Sequence, residues 1–217
     1  MKISYGITVH NEADELNRLL EILLTHIDKD DEIVICVDGD DKDVQLIIER
    51  QEHHKQIIAY KRKLEKDFAA HKNSVIENST GDYIFHIDAD EHPHETLLEQ
   101  LKQIIEMNDN VDLIWIPRVN TIEGMTQEHI QKWGWRVTEN GWVNYPDYQA
   151  RVFRRDESIR WTRPLHELIT GCKTYAHLPP HEELSLYHPK TIQKQEQQNM
   201  FYIENFNRDL LVREGNV

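Results

Sequence analysis

Short apolar runs alternate with amphipathic stretches along the first half of the chain. Residues 33–37 form a continuous apolar run, which is typical of a strand buried on both faces, and residues 3–9 and 83–87 also predict strands. Leucine and isoleucine recur at three- and four-residue spacing over residues 16–27 and 97–105, which predicts helices. Weaker patterns predict strands at 57–60 and 111–116 and helices at 44–48 and 68–76.

This alternation of strands and helices predicts an α/β fold with a mainly parallel sheet and helices on both faces. In such sheets, ligands bind beyond the carboxyl ends of the strands. The polar residues that directly follow each strand are therefore the first candidates for a functional site. We expect the fourth helix to begin at Pro93, which would leave His92 and His94 as exposed residues at its start.

The pattern becomes irregular between about residue 120 and residue 186. This segment contains glycines, prolines and four tryptophans, namely Trp133, Trp135, Trp142 and Trp161. It predicts loops and short strands that lie over the sheet. The rings of Trp135, Trp142 and Trp161 are candidates for stacking on a sugar, although aromatic clusters more often pack together.

A helical pattern returns at residues 191–213. Its apolar stripe consists of Met200, Ile203, Phe206, Leu210 and Leu211. We expect this stripe to pack on the domain rather than to contact a membrane. A length of 217 residues suits one domain with one core, so we treat residues 1–217 as a single domain.

Composition narrows the range of functions. The chain has 39 acidic and 25 basic residues, a formal net charge of -14, which disfavours an extended nucleic-acid surface. Two cysteines suggest no disulfide framework. The first residues lack the apolar stretch of a signal peptide, and no apolar run reaches the roughly 18 residues of a membrane span. We therefore expect a cytoplasmic protein without a transmembrane segment. Peripheral association with the inner face of a membrane is compatible with this expectation.

Three of the predicted strands end in acids or amides, at residues 10–12, 38–41 and 88–91. Each turn alone has an ordinary explanation, such as Asn11 capping the helix that follows. Three such turns at the ends of parallel strands, however, would face one crevice. In the last turn, Asp88 and Asp90 stand two residues apart, and hard divalent cations prefer such oxygen ligands while keeping positions open for phosphate. This turn predicts a Mg²⁺ or Mn²⁺ site.

Several segments together resemble a known family. These are His10-Asn11-Glu12 after the first strand, the acidic turn at residues 37–43, residues 68–73, the strand and acidic turn at 81–91, and residues 145–155 and 164–167. They resemble the family 2 glycosyltransferases of the GT-A fold, and among them the bacterial lipopolysaccharide-core and cell-envelope sugar transferases. The sequence departs from the family pattern at His10 and Gly39, where an aromatic residue and an aspartate are more usual.

The resemblance implies a metal-dependent, inverting transfer of a sugar from a nucleotide-diphosphate donor, by default UDP-linked, to a saccharide or lipid-linked acceptor. It implies a nucleotide-sugar-binding half at residues 1–118, an acceptor-side region at 119–190 and a C-terminal helix at 191–217. The donor-binding residues would be His10, Asn11, Glu12, Asp38, Asp40, Lys72, Asn73, Asp88 and Arg151. The metal ligands would be Asp88, Asp90 and His166.

Inversion needs a carboxylate that takes the proton of the acceptor hydroxyl. This base has to lie away from Asp88 and Asp90, which leaves Asp147 and Glu167 in the second half of the chain. Of the two we prefer Asp147, and we expect whichever of them is not the base to form an ion pair with an arginine such as Arg151 or Arg163.

Two other functions are open at this point. A nucleotidyltransferase also combines a nucleotide, a divalent metal and an α/β sheet, but it usually carries a glycine-rich phosphate loop, and residues 8–14 contain no glycine. A non-catalytic nucleotide-sugar-binding module would keep the fold without the chemistry. The sequence does not distinguish the sugar, the acceptor or the oligomeric state.

Overall fold

The computed structural model describes residues 1–51 and 53–205. The strands are β1 (Ile3–Val9), β2 (Glu32–Val37), β3 (Ile57–Lys61), β4 (Tyr83–Asp88), β5 (His92–Pro93), β6 (Leu113–Ile116), β7 (Arg118–Glu123), β8 (Gln149–Arg154), β9 (Arg160–Thr162), β10 (Leu168–Thr170), β11 (Tyr175–His177) and β12 (Leu186–Thr191). The helices are α1 (Ala13–His26), α2 (Lys42–Gln51), α3 (Phe68–Glu77), α4 (Glu95–Met107), α5 (Gln127–Trp133) and α6 (Ile192–Asn205).

The central sheet has seven strands in the order β11-β6-β8-β4-β1-β2-β3. All neighbouring strands are parallel except β8, which runs antiparallel to both β4 and β6. The predicted α/β fold with a mainly parallel sheet is confirmed. Strand β8 brings the second half of the chain into the middle of the sheet, directly beside β4.

Alternate residues of the central strands pack against helices on opposite faces of the sheet. On one face, Ile3 and Ile33 belong to a core that includes the leucines of α1 and α4. On the other face, Val34 packs with Val75 of α3. A Cβ atom at Gly6 of β1 would collide with Val75, so glycine allows α3 to lie directly on the strand. Both faces of β1 and β2 are therefore covered, as the apolar runs predicted.

Two small sheets lie beside the central one. Strand β12 pairs in parallel with β7 and antiparallel with β5, and β9 pairs with β10. Pro93 belongs to β5 and opposes Leu186, so the expectation that Pro93 starts a helix was wrong. Helix α4 begins at Glu95, and the His94 ring accepts a hydrogen bond from the Thr96 N–H as its cap. His92 stacks on Tyr187 rather than lying exposed.

The start of α1 also differs from the prediction. Glu12, not Asn11, is the N-cap residue, and no side chain caps the helix. The Glu12 carboxylate instead accepts hydrogen bonds from the backbone N–H groups of His10 and Asn11, at 2.9 and 3.1 Å. Glu12 thereby fixes the backbone of the turn after β1, because its side chain folds back over that turn.

Helix α6 leaves the two described residues of its predicted apolar stripe exposed. Met200 is 59% exposed and Ile203 is 68% exposed, so packing on the domain was wrong for these two residues. Phe206, Leu210 and Leu211 lie outside the described residues. Among the helices that the structure describes, none combines the length and apolar character needed to cross a membrane.

Candidate active site

The polar turns predicted at three strand ends lie side by side. Strands β4, β1 and β2 are parallel neighbours, so their carboxyl ends share one edge of the sheet. The Ala89 N–H donates to the Thr8 carbonyl oxygen at 3.2 Å, and Nδ1 of His10 lies 2.7 Å from the Asp38 carbonyl oxygen. The three turns are therefore neighbours at one end of the sheet, as the sequence predicted.

The turn after β2 holds two aspartates in different settings. The Asp38 carboxylate accepts a hydrogen bond from the Leu64 N–H at 3.0 Å and lies 3.3 Å from Nδ1 of His10. The Asp40 side chain is 83% exposed and pairs with Lys61 at 2.7 Å. Asp38 is therefore held in one orientation at the strand end, whereas Asp40 lies at the surface.

Asp88, at the end of β4, lies between two cationic side chains. The guanidinium of Arg151 on β8 donates to Asp88 Oδ2 at 2.6 Å, and Nζ of Lys72 on α3 lies 3.3 Å from Oδ1. Burial alone would raise the pKa of Asp88, but Arg151 and Lys72 outweigh it and hold the pKa well below its usual value. The structure thus brings together three of the predicted donor-binding residues.

Lys72 links this group to a candidate base. Its Nζ lies 2.5 Å from Oε1 of Glu167 and 4.8 Å from the centre of the Trp161 ring. Burial alone would lower the pKa of Lys72, but Asp88 and Glu167 raise it above its usual value. Trp161 is 5% exposed, so it packs in the core and is not available as a stacking surface.

The second candidate base, Asp147, has a different partner from the one predicted. Its Oδ2 accepts hydrogen bonds from Nε and NH2 of Arg118, at 3.0 and 2.6 Å, and from the Asn120 amide at 2.9 Å. Arg118 also reaches the buried Glu91 at 2.7 Å, which in turn binds Arg151. Arginine therefore does pair with Asp147, but the arginine is Arg118 rather than Arg151 or Arg163.

Asp90 faces two residues of β12 that the sequence analysis missed. Its Oδ2 lies 3.4 Å from Nε2 of His188 and 3.7 Å from Nζ of Lys190. Both residues stand two apart on one strand, so they share a face. The other ring nitrogen of His188 lies 2.7 Å from the Asn120 amide oxygen. The spacing of His188 and Lys190 indicates that they share one face of a strand. Nothing in the sequence, however, indicated that this strand would lie beside Asp90.

Two further predicted residues have other described contacts. The Asn73 amide is engaged at both ends by the Trp161 backbone, at 2.8 and 2.9 Å, so it positions β9 against α3. The ring of His166 lies 6.2 Å from the ring of Tyr202, edge to face. The histidine that the structure places against Asp90 is His188, and the metal role of His166 stays a prediction.

Comparison with known proteins decides the family. The family model described as Glycosyl transferase family 2 matches residues 4–178 of the chain. The chain belongs to glycosyl transferase family 2. A search of curated protein sequences finds no match.

Solved structures agree with this family. The chain is similar to S. aureus TarS 1-349 in complex with UDP-GlcNAc, with a TM-score of 0.62 and 14% identity, covering 88% of this chain and 59% of that one. It is also similar to the longer S. aureus TarS structure, with a TM-score of 0.60 and 14% identity, covering 94% of this chain and 39% of that one. At this identity the similarity establishes a shared GT-A fold, and the chain spans well under two thirds of the length of either TarS structure.

The donor atoms at the acidic turn of this family 2 chain fit a divalent cation. Two ligands on neighbouring corners of an octahedral ion, each about 2.1 Å from it, stand about 3 Å apart, close to the 3.4 Å between Asp90 Oδ2 and His188 Nε2. Within residues 1–51 and 53–205, no group of three or more acidic, histidine or cysteine side chains could hold a metal ion. Asp90 and His188 alone would therefore not hold an ion, which would need further oxygen ligands from diphosphate and water.

Several buried side-chain nitrogens near this turn have no hydrogen-bond partner among the described residues. Four buried side-chain nitrogens lack a hydrogen-bond partner among the described residues, namely Nδ1 and Nε2 of His86, Nε of Arg151 and Nε1 of Trp161. His86 is two residues before Asp88 on β4, and its ring lies 5.7 Å from that of Trp161. Burial lowers the pKa of His86 to about 4, so the ring is neutral at pH 7. Unpaired buried groups are costly, and they concentrate here at the family's predicted donor site.

Proposed function

We propose that this chain transfers a sugar from a nucleotide-diphosphate donor to an acceptor hydroxyl, with inversion at the sugar carbon. The observation that carries the proposal is the acidic turn at the end of β4, in a family 2 chain, surrounded by cationic side chains. Transfer of the sugar leaves negative charge on the departing diphosphate, which preorganised positive charge stabilises. Family membership disfavours a nucleotidyltransferase.

The donor would lie across the carboxyl ends of β2, β1 and β4. Asp38 would accept a hydrogen bond from the base or the ribose, since it is held at the strand end by Leu64 and His10. We propose a uridine nucleotide, because the TarS structure of the same fold binds UDP-GlcNAc. Lys72 and Arg151 are placed to contact the diphosphate or the sugar, since both reach Asp88.

Asp90, together with His188, would hold the divalent cation. When bound, such an ion neutralises charge on the leaving diphosphate. Lys190 lies 3.7 Å from Asp90 and adds a positive charge on the same side of the turn. The set of Asp88, Asp90 and His166 expected from the sequence stays a prediction; we prefer the pair of Asp90 and His188 because Asp88 is engaged by Arg151 and Lys72.

We now prefer Glu167 as the base, because Asp147 Oδ2 already accepts three hydrogen bonds. Lys72 joins Glu167 to Asp88, so this choice departs from the expectation that the base lies away from Asp88. Burial alone would raise the pKa of Glu167, but Lys72 lowers it, so the carboxylate is charged and able to accept a proton. When a donor phosphate competes for Lys72, this restraint on Glu167 weakens, which would raise its basicity as the acceptor reacts.

A binding and product assay tests the function. We expect UDP-sugars to raise the melting temperature in the presence of Mn²⁺ or Mg²⁺ and less in excess chelator, because a ligand that binds the native state stabilises it. We also expect slow release of UDP from the donor even without an acceptor. Release of pyrophosphate from UTP and a sugar phosphate would instead indicate a nucleotidyltransferase, and binding without any turnover would indicate a non-catalytic module.

A further inference from the structure

A short hairpin at residues 136–144 carries Trp142 in the acceptor-side region. The Asn144 N–H donates to the Arg136 carbonyl oxygen at 2.7 Å, and the Thr138 N–H donates to the Trp142 carbonyl oxygen at 2.9 Å. Gly141 closes the turn with a φ of 78°, a left-handed conformation that glycine adopts without strain. The hairpin therefore holds Trp142 in a defined position at the protein surface.

One side of this hairpin borders a cavity of about 300 Å³. Its lining residues are Thr138, Glu139, Asn140, Trp142 and Tyr145. The rings of Trp142 and Tyr145 stand 4.8 Å apart at 61° and are both half-buried, so each leaves part of its ring exposed. The cavity thus combines an aromatic wall with hydroxyl, carboxylate and amide groups.

Hydrogen bonds link this cavity to the proposed catalytic crevice. The Asn120 carbonyl oxygen accepts from the Val143 N–H at 2.9 Å, next to Trp142. The Asn120 side chain binds Asp147 at 2.9 Å and His188 at 2.7 Å, and His188 contacts Asp90. The hairpin that carries the cavity is thus connected through Asn120 to Asp147 and to the pair of His188 and Asp90.

We propose that this cavity binds a pyranose unit of the acceptor, so that the acceptor is a saccharide. This proposal rests on the proposed function only in so far as it assigns the bound sugar to the acceptor. Pyranose rings have C–H faces that pack on aromatic rings and hydroxyl rims that need donors and acceptors, and Trp142 and Asn140 supply both kinds of contact. A volume of about 300 Å³ is at the lower end of ligand cavities and suits one sugar ring.

The other aromatic residues of the region do not offer such a site. Trp133 and Trp135 pack on each other with ring centres 4.7 Å apart, and Trp161 is buried. An acyl chain would need a continuous apolar lining, but three of the five lining residues are polar or charged. These contrasts favour a sugar over a lipid tail, and they single out Trp142 among the tryptophans.

Saturation-transfer NMR with methyl pyranosides tests the proposal. The probes are the methyl glycosides of glucose, galactose, mannose, N-acetylglucosamine and rhamnose, measured with the full chain, without and with UDP and Mg²⁺. We expect transfer to ring protons of at least one probe, and a roughly tenfold or greater loss of its affinity in Trp142→Ala and Asn140→Ala. The matched control is Trp135→Ala, which removes a neighbouring indole that does not line the cavity.

The outcomes separate the two proposals. Asn140→Ala changes a surface turn, so it decides the result if Trp142→Ala fails to fold. No transfer to any pyranoside, or transfer that survives both cavity variants, overturns the saccharide subsite even when UDP binds. Absence of UDP binding together with pyranoside binding would instead refute the proposed transferase and leave the sugar-binding cavity standing.

Discussion

Buried carboxylates lie at both ends of the central strands, and their partners differ. The amino ends of the strands are called the amino edge here, and the carboxyl ends the carboxyl edge. At the amino edge, Glu32 accepts hydrogen bonds from Lys2 and Ser4 at 2.6 Å and from the Thr80 N–H and hydroxyl at 2.5 and 2.7 Å. At the carboxyl edge, Asp88 and Asp90 are held chiefly by lysine, arginine and histidine side chains.

The difference lies in what remains unpaired. All four buried side-chain nitrogens without partners in the described part of the chain belong to residues below the carboxyl edge, and none belongs to the amino edge. Hydrogen bonds at the amino edge are complete, so they stabilise the fold. The charges at the carboxyl edge belong to the site that we propose binds the donor. Substitutions at the two edges should therefore affect different measurements.

The largest effect is expected at Asp90. Asp90→Asn should reduce turnover below detection and remove the metal-dependent part of UDP binding, because it takes away the charge that would hold the cation. Enzyme assays and calorimetric titration of UDP with and without Mn²⁺ measure both. Glu32→Gln, a carboxylate-to-amide change at the other edge, is the matched control and should leave turnover unchanged. Full activity of wild-type protein in excess chelator would contradict the metal role.

Glu167→Gln should lower turnover by roughly 10²–10⁴-fold while donor affinity survives, since a general base contributes about that much. Asp147→Asn should cost turnover far less and mainly reduce stability, because Arg118 loses one of its two charged partners and keeps Glu91. Single-turnover rates and donor affinities of the two variants settle the comparison. A larger loss in Asp147→Asn would return the base to Asp147, and a product with retained configuration would refute inversion.

Glu32→Gln should lower the free energy of unfolding by about 1–3 kcal/mol, as expected when one partner of a buried hydrogen-bond network changes. Burial alone would raise the pKa of Glu32, but hydrogen bonds from Lys2, Ser4 and Thr80 lower it from 4.5 to about 2. A lowered folded-state pKa stabilises the fold above pH 4.5 and loses that contribution as the pH falls towards 2. The difference between wild type and variant in urea unfolding should therefore shrink below pH 4.5. A constant difference would exclude Glu32 ionisation as its source.

The smallest effect is expected at Asp38, which we propose contacts the nucleotide. Asp38→Ala should weaken UDP and UDP-sugar binding alike by about tenfold, the usual effect of one hydrogen bond to a charged group. Asp43→Ala, at the exposed start of α2, serves as the control. Titration calorimetry measures both, and unchanged UDP affinity in Asp38→Ala would show that the base or ribose binds elsewhere.

The same comparison shows what the sequence could predict. The central strands and the three polar turns were predictable because each depends on a local pattern, such as the apolar run at 33–37 followed by Asp38. The partners of Asp90 were not, because His188 and Lys190 arrive on β12, about a hundred residues later, through pairing with β7 and β5. Local patterns identify which residues are polar, but the pairing of distant strands decides which of them meet.

The pairing of β8 with β4 has a consequence for folding. Until β8 enters the sheet, β4 has an open edge, and Asp88 and Glu91 repel each other without Arg151 between them. Such an edge invites pairing with other chains. A fragment that ends before residue 149 would therefore contain all three polar turns but lack Arg151, and it would be prone to aggregate. Strand β8 therefore covers the edge of β4 and also supplies the positive charge of Arg151 to the site.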